Sequence, residues 1–202
     1  MGTVRRLTAD AATMGAARDD AVQQDHAGTA DLMTTSGTTT AEAELLLAHL
    51  HSQRRHVLGI LDGLDEDALR RPVLPSGWSS LGLVRHLAMD DERFWFRGVV
   101  AGEQAVIDEV MAATQSAWVV GPEESAEEVL ALYRDQAART DAIVASTSLD
   151  AAPAWWPDFF GSFRMDSMRE VLLHVITETA THAGHLDAVR ELIDGRTWLV
   201  LD

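Results

Sequence analysis

The sequence predicts an all-α protein, a four-helix bundle, and three observations carry that expectation. Apolar residues recur at helical spacing in four segments of about 20 residues each. No stretch alternates apolar and polar residues for long enough to build a sheet. Ser, Gly and Pro mark the ends of the segments, as helix starts and stops require.

Residues 1–40 are rich in Ala, Thr, Asp and Gly and lack aromatics, so they have little to bury and are expected to form a mobile N-terminal tail. Met33 offers an alternative start, which would make residues 1–32 an upstream extension. The bundle is expected over residues 41–202. Its first helix, 41–62, carries Leu45, Leu46, Leu50, Val57, Leu58 and Leu61 on a helical repeat and meets Gly63. A short helical turn at DEDALRR and a Pro- and Gly-containing loop follow. The second helix, 80–101, starts behind Ser79 and ends at Gly102. The third, 126–147, opens with a capping box of Ser125 and Glu128. The loop PAWWPDFFGSF leads to the fourth, 167–194, with Ser167 and Glu170 as a second capping box and Gly195 as its stop. The connections before the third and fourth helices are long enough to be crossovers.

Composition narrows the function. A formal charge of −16 over 202 residues argues against nucleic acid and against an anionic membrane surface, because both need a basic face. No apolar run reaches the roughly 20 residues of a transmembrane helix, and no secretory signal follows Arg5 and Arg6, so a cytoplasmic protein is expected. There is no cysteine, hence no disulfide, no thiolate metal site and no protein-borne thiol nucleophile. Phosphate loops, dinucleotide fingerprints and nucleophile-elbow serines are also missing.

One pattern carries chemistry. In ITETATHAGHLDAVREL, Glu178, His182 and His185 fall within roughly 60° of one helical face. His174 extends the same stripe, and His86 lies on the core side of the second helix. A carboxylate and two or three imidazoles can grip a divalent ion and leave a coordination position open for catalysis. The alternative is a solvated polar face with a hydrogen-bonded Glu–His pair, and His86 alone could be a satisfied core histidine.

PSGWSSLGLVRHLAMDDERFWFRGVVAGE and VLLHVITETATHAGHLDAVRELIDG resemble the two signature segments of the DinB/YfiT-like superfamily. The nearest likeness is to its actinobacterial DinB-like branch, the mini-circle proteins, over roughly residues 41 to 196. The resemblance implies an up-down-down-up four-helix bundle with a divalent metal held by His86, Glu178 and His182. Glu at 178 is similar to the pattern of the mycothiol-dependent maleylpyruvate isomerases. His185 then faces the pocket as a proton shuttle or a fourth ligand. Zinc suits the donor set, with nickel and ferrous iron compatible. The implied activity is a metal-dependent transferase or isomerase that uses a low-molecular-weight thiol, mycothiol-like, on a small electrophile. Hydrolysis by a metal-bound hydroxide and a stress-response module without turnover are the rival readings. Members of the superfamily pair through helix faces, so a homodimer is expected. Glu170, where relatives often carry an aromatic, and Thr181, where they often carry Arg, depart from the pattern next to the site.

Two further expectations concern surroundings. Trp78, Phe94, Trp95, Trp155, Trp156, Phe159 and Phe160 could shape the pocket, with the WWP loop as a lid over the metal, although aromatics at helix ends usually seal a core. Arg85, Arg93, Arg97 and Arg169 are expected to form surface ion pairs, with the binding of a substrate carboxylate as the alternative.

Overall fold

The structure is a computed structural model that describes residues 35–198, with side chains from residue 41. Most of the expected tail, residues 1–34, lies outside the described residues. Everything regular among the described residues is helical, as expected: α1 (Thr35–Leu61), α2 (Glu66–Arg70), α3 (Ser80–His86), α4 (Gln104–Ala112), α5 (Ala126–Ser146) and α6 (Met168–Asp194). α3 runs without a break into a π-helical stretch, Leu87–Val100, and Asp158–Phe160 form one 3-10 turn. No helix among the described residues is long and apolar enough to cross a membrane.

The helix ends follow side-chain chemistry. Ser79 Oγ accepts from the backbone N–H of Gly82 at 3.1 Å and starts α3. Ser125 and Glu128 form the full reciprocal box at α5. At α6 the box is only half made. Ser167 Oγ accepts from Glu170 N–H, while the Glu170 carboxylate reaches past it to the N–H of Asp166 at 3.0 Å. Gly195 ends α6 in the left-handed region at φ 79°, its N–H bonded to Glu191 O at 3.0 Å.

Two elements differ from expectation. α1 begins at Thr35, ahead of residue 41. α4 lies within a stretch expected to be loop, because its N-cap, Glu103, makes no side-chain capping bond and announces nothing.

α1 packs mainly on α6, α5 packs on the π-helical stretch and on α3, and the π-helical stretch also meets α6. This packing is consistent with a four-helix bundle. Its apolar core comes in two parts. One gathers Leu50, Phe94, Phe96, Val144, Leu172 and Val175 around the WWP loop. The other gathers Val57, Leu83, Leu87, Val129, Ala183 and Leu186. Each fully buried Leu, Val or Phe contributes about 1.5–3 kcal/mol by leaving water. In sequence, buried polar residues fall between the two sets on every long helix: Arg54 on α1, Asp91 and Glu92 on the π stretch, Gln136 and Thr140 on α5, and Thr179 on α6. A polar layer thus divides the core, and the candidate site lies beside it.

Candidate metal centre

α6 supplies Glu178 and His182 one turn apart, with buried Val175, Thr179, Ala183 and Leu186 holding that stretch against the core. His86, the last residue of α3, comes from the facing helix. Its ring meets His182 edge-on, with centroids 5.1 Å apart. His182 Nε2 lies 3.7 Å from Glu178 Oε2, too far for a hydrogen bond. His185 sits on the solvent side, its Nδ1 3.4 Å from His182 Nδ1. The structure therefore brings His86, Glu178, His182 and His185 together. His174 stands apart, edge-on to Trp95 at 4.9 Å.

Three neighbours, Asp90, Trp118 and Asp91, were not expected from sequence, whereas Trp78 was one of the aromatics expected to shape the pocket. Asp90 Oδ2 lies 2.8 Å from His86 Nδ1, one helical turn on. When the ring is unprotonated, donation of Nδ1–H to this carboxylate leaves the lone pair of His86 on Nε2. Trp118, from the segment between α4 and α5, stacks on His86 at 4.3 Å and meets His182 at 5.6 Å. Trp78 adds a second aromatic, 6.3 Å from His185 and 6.2 Å from Trp118. Gly82 permits this arrangement, because a Cβ there would fall 2.4 Å from the backbone oxygen of Trp118. The third is Asp91, 3% exposed, whose Oδ2 has no hydrogen-bond partner and whose charge acts on His86.

Burial and charge set the histidines apart. For His86, burial is the largest influence and opposes protonation. The hydrogen bond to Asp90 and the charges of Asp91, Asp90 and Glu178 outweigh it, so its pKa is raised. For His182, burial and then the positive charges of His86 and His185 push the pKa down to about 3. At neutral pH His182 is therefore an uncharged imidazole with a lone pair to offer.

The WWP loop is not a lid over these histidines. Trp156 donates its indole N–H to Phe163 O at 3.1 Å, and Trp155, Trp156 and Phe159 pack on the aromatic half of the core with Phe94 and Trp95. The aromatics beside the histidines are Trp118 and Trp78 instead. The four arginines are all paired: Arg85 with Glu124, Arg93 with Glu109, Arg97 with Glu103, and Arg169 with Glu42 and Asp150. A cavity of about 310 Å³ lies between α1 and α5, lined by His51, Arg54, Arg55, Tyr133, Arg134 and Asp141 among others, and does not include the histidine cluster.

Among the described residues no three His, Asp or Glu side chains are already arranged to hold a metal ion. The donor chemistry nonetheless fits one. His86 Nε2 and neutral His182 could offer nitrogen and Glu178 oxygen, and Asp90 stands behind His86 as a carboxylate commonly stands behind a ligating imidazole.

An all-α chain that gathers two imidazoles and a carboxylate from facing helices, beside an indole, belongs to the class of helical proteins with a histidine–carboxylate cluster between helices. More particularly, the chain belongs to the mycothiol S-transferase family, whose model, described as Mycothiol-S-transferase, matches residues 45–195. The match agrees with the DinB-like resemblance and points to mycothiol-related transferase activity, with a thiol and a small molecule as reactants. No curated protein matches the chain.

Proposed function

We propose that the protein is a divalent-metal-dependent S-transferase that joins a mycothiol-like thiol to a small electrophile. His86, Glu178 and His182 hold the metal, with zinc first and nickel or ferrous iron compatible. The observation that carries this reading is the meeting of His86 and His182, centroids 5.1 Å apart, with Asp90 bonded behind His86. A divalent ion held there would supply Lewis acidity, favouring ionisation of a thiol at neutral pH.

The chain's own residues supply the rest. Asp90 fixes the His86 ring, and burial keeps His182 unprotonated. Exposed His185 accepts the thiol proton and returns it to the substrate atom that gains charge as the sulfur–carbon bond forms. Trp118 and Trp78 provide an apolar wall for the electrophile and shield the site from water. Pairing of two chains belongs to the same reading and is measured by light scattering after size-exclusion chromatography.

The test is elemental analysis of the purified protein beside His86→Ala and His182→Ala. About one equivalent of metal, lost in both variants, supports the site, and thiol consumption with a test electrophile then supports the transfer. No metal after loading with zinc or nickel would refute the metal-dependent reading. Bound metal without thiol turnover would leave a binding module.

A further inference from the structure

Asp91 is the buried polar group that the mechanism above does not use. It is 3% exposed, its Oδ2 accepts no hydrogen bond, and its neighbours in sequence include the buried Leu87, Ala88 and Phe94. A carboxyl group left so is costly to a fold that gains nothing from it.

Backbone geometry gives it a direction. In an α-helix, residues five apart are about 140° away from each other, so Asp91 would face away from His86. The stretch from Leu87 is π-helical, and a π turn closes on the fifth residue. Ala101 N–H accordingly bonds to Phe96 O, five residues back, at 2.8 Å. This widened turn carries Asp91 round to the face of His86 while leaving Asp90 within reach of Nδ1.

The electrostatic surroundings agree. Burial is the largest influence on Asp91 and raises its pKa. Among charges, that of His86 acts against the rise, and those of Glu178, Asp90 and Glu92 add to it. Glu92 is satisfied by Arg54 through two bonds of 2.7 Å. Asp90 is paired with His86 through Nδ1. Three carboxyl groups thus adjoin two imidazoles, one of which is neutral.

We propose that Asp91 is a further carboxylate donor of the metal pocket, so that this chain offers the ion two nitrogens and two oxygens. This rests on the metal reading above and deepens it. An added oxygen donor shifts the site toward harder divalent ions, improving manganese and ferrous iron relative to zinc.

The experiment uses the full chain with Asp91→Asn and Asp91→Val. Zinc and manganese dissociation constants are measured by competition with a chromophoric chelator, and melting temperatures are taken on the metal-free proteins. Zinc binding is expected to weaken at least about tenfold in both variants, and manganese binding more. The metal-free Asp91→Val protein is expected to melt about 2–4 °C higher, because a buried carboxyl whose Oδ2 lacks a partner has been removed. Zinc affinity within twofold of the parent in both variants would overturn the proposal while leaving the metal reading intact. Weaker zinc binding with a lower metal-free melting temperature in both variants would also overturn it, since Asp91 would then have a structural partner. Absence of metal from the parent protein would overturn both readings together. Should Asp91→Val not fold, Asp91→Asn decides by the same two readouts.

Discussion

Replacing His182 with Gln tests the electrostatics of the pocket through stability. Burial and neighbouring positive charge hold the His182 pKa at about 3, whereas an unfolded histidine titrates near about 6.5. Between these values the unfolded chain binds a proton that the folded chain refuses, so stability falls as pH drops below about 6.5. At pH 5 the unfolded side chain is almost fully protonated and His182 almost fully neutral. The interval of about 1.5 pH units is worth about 2 kcal/mol, and the figure holds for any folded pKa below about 4. His86 contributes with the opposite sign. Its pKa is raised, so its stabilisation is present below the unfolded value and lost as pH rises through the folded one. Because His182 stays neutral throughout, its removal leaves the titration of His86 largely in place. Urea unfolding of metal-free protein at pH 7.5 and 5.0 should therefore show the parent losing about 2 kcal/mol more than His182→Gln over that interval. Equal losses in the two proteins would refute the buried, neutral imidazole and weaken its claim as a ready lone-pair donor.

Three further outcomes follow from the same geometry. Asp90→Asn should lower zinc affinity by about 10–100-fold with little change in fold, because it loosens the His86 ring without removing a ligand; chelator competition measures it. Gly82→Ala should cost about 1–3 kcal/mol in chemical denaturation and also weaken zinc binding, since the new methyl group drives the Trp118 backbone away from α3. Arg54→Ala should cost about 3–5 kcal/mol by leaving Glu92 buried without its partner, whereas a double replacement of Arg54 and Glu92 by apolar residues should cost much less; urea midpoints compare them.

What could be read from the chain was whatever local chemistry determines. Ser79, Ser125 and Ser167 each accept a bond from the first turn of a helix, so those starts were visible as residue types in position. The grouping of Glu178, His182 and His185 needed only the α-helical period, and the structure places them as that period requires. α4 was hidden because Glu103 makes no side-chain cap. Trp118 was hidden for another reason: its contact with His86 spans the residues between α3 and α5, and no period links the two. Asp91 was hidden by the period itself, which assigns it to the wrong side of the helix unless the turn widens. The WWP loop misled because aromatic richness does not say which half of a core it seals.

The polar layer through the middle of the bundle links these observations. A bundle this apolar could have buried Leu or Val at Arg54, Asp91, Glu92, Gln136, Thr140 and Thr179, and buried ion pairs are seldom a net gain over such packing. Several of the polar groups are matched. Glu92 is held by Arg54, Arg54 also reaches Asp141 at 2.7 Å, and Thr179 bonds back to Val175 O at 2.7 Å. The exception in the layer is Asp91 Oδ2, and the hydroxyls of Tyr133 and Ser80 are likewise buried without partners. Such unmatched groups are hard to explain by stability, because each costs about 1–3 kcal/mol as it stands. One of them adjoins His86 on the π-helical turn, beside two imidazoles whose proton affinities have been driven in opposite directions. Divergent titration of neighbouring groups and an unanswered carboxyl mark a functional site, and the proposed cation would answer both.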